Sequence, residues 1–291
     1  MTGILALTGS RVTWSGAPDY PPELSSIPDP PPLLFYRGDL ARFLDGPAVA
    51  VIGSRRGSPY GLGVARSLSR SLGAAGVRVV SGLARGIDGE AHRGCLEGGG
   101  LTMAVLGSGL DVPYPREHAP LLERIAGQGV AVTEHPPGTP PDAFNFPRRN
   151  RLISGFSKAV VVVEAGERSG TMITVDAALE QGRDVLAVPG EISRRGSTGT
   201  NRLIRDGAGV VTCVEDILDA IGLARPSSEQ AAIPPPQGGS RILELLAEGP
   251  VHFDQLARAL AVAAPELHSA LLELELSGRV VQRPGKYYCL P

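Results

Sequence analysis

The sequence predicts a doubly wound, mostly parallel α/β sheet followed by a second, much smaller domain. Three observations carry that expectation. The apolar runs Ala48–Ile52, Val77–Val80, Leu101–Leu106, Val130–Thr133, Ala159–Val163, Val185–Val188 and Val210–Thr212 are short and nearly continuous, the pattern of strands covered on both faces. Amphipathic segments such as Gly63–Leu72, Ile87–Leu96, Arg116–Ile125, Arg149–Phe156 and Thr171–Glu180 stand between most of them, giving strand–helix alternation. Residues 223–239 (LARPSSEQAAIPPPQGG) have a linker's composition and no apolar period, and so set off residues 240–291.

In chain order, residues 1–44 are expected to be an extended lead-in. Pro18, Pro21, Pro22, Pro28, Pro30, Pro31 and Pro32 exclude a helix interior or a central strand there. The sheet domain occupies 45–222. Beyond the linker, Ile242–Leu246, Phe253–Leu260 and Pro265–Ser277 have helical spacing. Gly278–Gln282 and Lys286–Leu290 are expected strands around the turn Arg283-Pro284-Gly285. Three helices and then a β-hairpin is the order of a winged helix.

Composition excludes several classes. No run of apolar residues is long enough to span a membrane, and Met1–Trp14 lacks the features of a signal peptide, so a cytoplasmic protein is expected. Cys95, Cys213 and Cys289 are too scattered for a disulfide framework or a metal pair, and the five histidines show no ligand spacing. The net charge of −2 does not announce a nucleic-acid partner, but it can conceal a local basic patch.

In a doubly wound sheet, ligands collect at the carboxyl ends of the strands, so the loops there carry the chemistry. In VIGSRRGSPYG (51–61), Gly53 permits close approach, Ser54 offers a hydroxyl and Arg55 a fixed cation. The G-x-G-x-x-G order is absent and no acid follows Val79-Val80, so no dinucleotide cofactor is expected. SGLARGIDGEAH (81–92) is a tight turn in which Asp88 buttresses a helix and His92 is satisfied locally. LGSGLDVPYP (106–115) is glycine-rich again. FNFPRRNRLISGFSK (144–158) sets Arg148, Arg149, Arg151 and Lys158 among Phe144 and Phe146 with no acid. Cations beside aromatics supply phosphate neutralisation and a stacking surface, which is what single-stranded nucleic acid requires. Ser169-Gly170-Thr171 opens a helix and can cradle a phosphate or simply cap it.

The stretches VIGSR (51–55), SGLARGID with His92, VLGSGLDVPYP (105–115), FPRRNRLISG (146–155), EAGERSGTMIT (164–174), AVPG (187–190) and GTNRLIRDGA (199–208) resemble, in order, the successive motifs of the DNA-processing A family (DprA, also called Smf). The C-terminal segment is similar to the winged-helix domain that many members carry. The resemblance implies an extended Rossmann-like core and a homodimer. It implies a protein of natural transformation that binds and protects incoming single-stranded DNA and helps load the RecA recombinase, without catalysis. The implied DNA-binding residues are Gly53, Ser54, Arg55, Phe146, Arg148, Arg149, Asn150, Arg151, Ser169, Gly170 and Thr171; the implied dimer contact is Leu203, Ile204 and Val210. Where some members have a lysine this chain has Ala143, for which Arg148 or Arg151 can substitute.

Two other readings compete. The SGT turn resembles that of nucleoside-monophosphate phosphoribohydrolases, whose motif ends in a catalytic glutamate; that position is Thr174 here, although Asp88, His92 and Glu164 stay unassigned. A transcription regulator would read duplex DNA through Pro265–Ser277. That segment carries Glu266, Glu273 and Glu275 and no Arg or Lys, which fits a scaffold better than a groove reader.

Overall fold

The computed structural model describes residues 9–167, 169–223, 239–247, 249–260, 262, 264–276, 279–283 and 285–290. The chain forms two compact units, Met1–Arg225 and Pro226–Pro291. The expected linker lies, from 224 to 238, outside the described residues.

The larger unit runs β1 (Arg11–Trp14), α1 (Pro22–Ser25), β2 (Leu33–Gly38), α2 (Leu40–Leu44), β3 (Ala48–Gly53), α3 (Pro59–Ala74), β4 (Arg78–Ser81), α4 (Ile87–Glu97), β5 (Thr102–Val105), α5 (Ala119–Gln128), β6 (Val130–Thr133), α6 (Asn145–Gly155), β7 (Ala159–Glu164), α7 (Thr171–Glu180), β8 (Asp184–Ala187), α8 (Thr198–Arg205), β9 (Gly209–Val210) and α9 (Val214–Ala220). Its strands form one sheet in the order β1-β2-β6-β5-β4-β3-β7-β8-β9. From β6 to β9 every pairing is parallel. β3 shows why its run lacks alternation. Ala50 and Ile52 pack into one layer with Leu152 and Ile153 of α6, while Val49 and Val51 pack into the other with Leu68 and Leu72 of α3.

The extended lead-in is corrected. β2 pairs antiparallel with β6, and β1 with β2, so residues 11–38 complete the sheet on one side. The prolines lie outside the strands. Pro21 and Pro22 stand at the N-cap and first position of α1, where a missing N–H costs nothing. The segment LLFYRG of β2 has none and buries Leu34, Phe35 and Tyr36.

The smaller unit contains α10 (Gly239–Leu246), β10 (Val251–His252), α11 (Phe253–Leu260), α12 (Ala264–Leu276), β11 (Val281–Arg283) and β12 (Tyr287–Cys289). Its antiparallel sheet has the order β10-β12-β11. Ile242, Leu246, Leu256, Leu267, Leu271, Leu274, Val280 and Tyr288 form its core. This is the expected winged-helix order with one strand more, since two residues are too few to show a period. Among the described residues, no helix is long and apolar enough to cross a membrane.

His92 is structural. Its Nδ1 lies 2.7 Å from Oγ1 of Thr102, and that hydroxyl already donates to the Val79 carbonyl at 2.8 Å. The hydroxyl proton is thereby used, so Nδ1 carries the imidazole proton and donates it. Nε2 is buried with no partner among the described residues, and a second proton there would be unsatisfied. Burial, reinforced by His118, Arg93 and Arg149, presses the pKa from 6.5 to about 3. The folded state therefore binds fewer protons than the unfolded chain below pH 6.5, and stability falls as the pH is lowered. Between about pH 7.5 and pH 5 the wild type should lose about 2 kcal/mol more than His92→Asn, measured by urea unfolding. An equal loss in the variant would remove His92 from the acid response.

Candidate functional site

The chain winds from β3 through β4 and β5 to β6 on one side, then returns to set β7 and β8 on the other. The reversal between β3 and β7 opens a crevice at their carboxyl ends, the usual ligand position in such sheets. Two backbone hydrogen bonds join the loops there: Ser54 donates to the Glu164 carbonyl at 2.7 Å, and Ile87 donates to the Ser54 carbonyl at 3.2 Å. Gly86 has φ +75°, and a Cβ on it would lie 2.3 Å from the Ser54 carbonyl, so only glycine fits. In the same turn, fully buried Leu83 is held at φ 55°, a strained conformation for a non-glycine residue.

The crevice is a cleft of about 400 Å³ lined by Gly53, Ser54, Arg55 and Arg56 from the first loop, Asp88, the α6 residues Phe146, Pro147, Arg149 and Asn150, and Ser169, Gly170 and Thr171 at the start of α7. That volume is in the range of small-ligand sites. The Arg55 guanidinium sits over the Phe146 ring, 5.5 Å from its centroid. Arg149 is 3% exposed, and its Nη1 donates to the Gly82 carbonyl at 3.0 Å. Burial lowers its pKa to about 10, with Asp88 opposing and Arg55 adding to the shift, so it remains a cation at neutral pH. Its Nε is buried with no partner among the described residues. Asp88 accepts the backbone N–H groups of Gly82 at 3.1 Å and Ala84 at 3.4 Å. Burial raises the Asp88 pKa against the pull of Arg149 and those two donors.

Three hydroxyls of the cleft hold its loops together. Ser54 Oγ accepts the Arg56 N–H at 3.1 Å. Ser169 Oγ donates to Thr171 Oγ1 at 2.9 Å and accepts the Thr171 N–H at 3.2 Å, which makes the turn self-capping. The next N–H, that of Met172, donates to the Ser169 carbonyl at 3.0 Å, so the first two N–H groups of α7 are used within the turn itself.

Of the sequence candidates, Gly53, Ser54, Arg55, Phe146, Arg149, Asn150, Ser169, Gly170 and Thr171 converge on this cleft. Arg151 does not. Its guanidinium forks onto Glu134 at 3.1 and 2.8 Å and reaches the side chain and carbonyl of Asp29. Two residues along a helix point to opposite sides, so α6 turns Arg149 into the crevice and Arg151 away from it. Arg148 is exposed and outside the cleft wall, which leaves the Ala143 position without a substitute there. Phe144 is likewise exposed. Glu164 accepts the Ser58 N–H at 2.7 Å and supports the first loop from behind.

At the far edge of the sheet, Leu203 packs into the core, Ile204 is half-buried against it, and Val210 on edge strand β9 is 45% exposed. Sequence reasoning missed Arg56 as a cleft residue, although the Arg55-Arg56 doublet signalled it. It also missed Asp88 as the counter-charge of Arg149, for which no local signal exists.

A family model described as DNA recombination-mediator protein A matches residues 11–222, and one described as DprA winged helix domain matches 226–286. Protein Smf of Escherichia coli (strain K12) is 42% identical over 282 residues, covering 92% of this chain and 74% of its own. DNA processing protein DprA of Streptococcus pneumoniae is 46% identical over 199 residues, 68% of this chain and 70% of its own. The solved structure of DprA from Streptococcus pneumoniae matches with a TM-score of 0.71 at 41% identity, over 75% of this chain and 77% of that one. DNA processing protein A of Helicobacter pylori, whose structure is described in terms of a single-stranded DNA binding mode, matches with a TM-score of 0.66 at 28% identity, over 73% of this chain and 95% of that one. By sequence and by fold, the chain belongs to the DNA processing protein A (DprA/Smf) family.

Proposed function

We propose that the cleft binds single-stranded DNA and that the protein acts by holding the strand rather than by catalysis. The observation that carries this reading is the Arg55–Phe146 stack beside the buried Arg149 cation, at the sheet's switch point. A base on Phe146 takes the place over the ring and releases the Arg55 guanidinium to the adjoining phosphate. Every base has a π-face, so such a site accepts any sequence. The single-stranded DNA binding mode described for the Helicobacter pylori relative supports it. On the wall where a hydrolase would need a carboxylate, the residue is Thr174. The Asp88 carboxyl is committed to two backbone donors, and His92 is occupied in the core.

In this reading the protein serves natural transformation, protecting incoming single strands and helping to load RecA. A homodimer forms through the α8–β9 edge. Val210 is the exposed apolar group there, and Ile204 backs it. Val210→Arg should therefore yield folded monomers by sedimentation, with near-native thermal stability. A dimer that persists would place the contact elsewhere, and an unfolded product would make Val210 part of the core.

The DNA reading is tested by titrating labelled single strands and blunt duplex at several salt concentrations. Single strands should bind more tightly, with a slope of about −0.7 per phosphate neutralised. Arg55→Ala should weaken binding and flatten the slope by about 0.7. Phe146→Ala should weaken binding by about 1–3 kcal/mol with little change in slope, because stacking releases no counterions. Duplex binding as tight as single-strand binding, or an Arg55→Ala protein with both affinity and slope intact, would refute the assignment.

A further inference from the structure

The third glycine-rich loop, residues 106–115, takes no part in the main cleft, yet it ends beside it. Tyr114 near its end is 38% exposed. Its ring centroid lies 5.2 Å from that of Phe146, with the two planes inclined by 40°. A smaller hollow adjoins the cleft and shares Arg55, Ala84, Phe146 and Arg149 with it, while Tyr114, Pro115 and Arg85 form its other walls. Arg85 and its ion-pair partner Glu117 are both more than half exposed. After Glu117, the Tyr114 phenol is the next side chain acting on the Arg85 guanidinium.

We propose that the surface over this hollow, which itself encloses only about 30 Å³, is a second nucleotide position, in which the exposed ring of Tyr114 stacks the base next to the one on Phe146 and Arg85 meets the phosphate between or beside them. The inference rests on the reading of the main cleft and extends it. The inclination of the rings is the argument for two bases. A base lying parallel to Phe146 stands 40° off Tyr114, so one base cannot stack on both, whereas successive bases of a bending strand can. The shared wall gives the strand a continuous route from the cleft, and Arg55 and Arg149 keep that wall cationic. Glu117 is no obstacle, because an ion pair open to water contributes little and exchanges readily for a phosphate. If Tyr114 merely filled space against Phe146, an aliphatic side chain of similar bulk would serve equally well.

The test uses the full chain and a labelled oligothymidine of about 20 nucleotides. Tyr114→Ala and Tyr114→Leu should each weaken binding about 5- to 150-fold with the salt slope unchanged, and Tyr114→Phe should bind like the wild type. Arg85→Ala should flatten the slope by about 0.7. Wild-type affinity in Tyr114→Leu, or an unchanged slope in Arg85→Ala, overturns the second position. Parallel titrations of Arg55→Ala and Phe146→Ala separate the two claims. If those lose affinity while the Tyr114 and Arg85 variants do not, only the second position falls; if none loses affinity, the cleft itself is misassigned.

Discussion

A guanidinium held out of water at the carboxyl edge of the sheet is the constraint on which the site depends. Arg149 enters from α6, donates to the Gly82 carbonyl beyond β4 and faces Asp88 from α4. Burying such a charge is tolerated only where a counter-charge and hydrogen bonds compensate, and removing one partner of a buried pair costs about 3–5 kcal/mol. Asp88 compensates from inside the fold, and the two backbone donors it accepts hold it in place. The glycine turn follows from the same constraint. A Cβ on Gly82 would lie 2.7 Å from Arg149 Nη2 and 2.8 Å from Asp88 Oδ2, so glycine there makes room for both charges. With α6 fixed in this way, Phe146, one turn earlier, stands over the crevice within reach of Arg55.

This arrangement explains how a chain of net charge −2 can attract a polyanion. Several of its arginines are spent on ion pairs within the fold: Arg37 on Glu123, Arg66 on Glu90 and Glu97, Arg151 on Glu134 and Asp29. The cleft departs from that habit. Arg55 and Arg56 line it without a carboxylate hydrogen-bonded to either among the described residues, and Arg149 reaches the same cleft with its Nε without a partner among them. Local field, not total charge, governs association with phosphate. In the smaller unit, by contrast, α12 carries three glutamates and no Arg or Lys, which disfavours a groove-reading role.

The sheet was legible because its central strands are buried on both faces, which leaves an unbroken apolar run in the sequence for each. β2 was hidden because a run of prolines leads directly into it, although none lies within it, and β10 because two residues show no period. The loops of the site were legible as glycine and arginine clusters. What the sequence could not separate was Arg149 from Arg151, since both belong to one basic stretch. The helix phase of α6 and the distant acids Asp88, Glu134 and Asp29 divide them, and none of those acids is local to the motif. Tyr114 was equally opaque: its partner Phe146 belongs to another loop, and only the sheet brings the two rings together.

The central claim, that single-stranded DNA lies in the cleft over Phe146, is tested most directly by photo-crosslinking. A single strand substituted with 5-iodouracil is irradiated on the full chain, and the adducts are mapped by mass spectrometry. Stacked aromatic residues should carry the label, so the account predicts adducts on Phe146 and its immediate neighbours in the cleft. Adducts confined to residues 226–291, with none in the cleft, would contradict it.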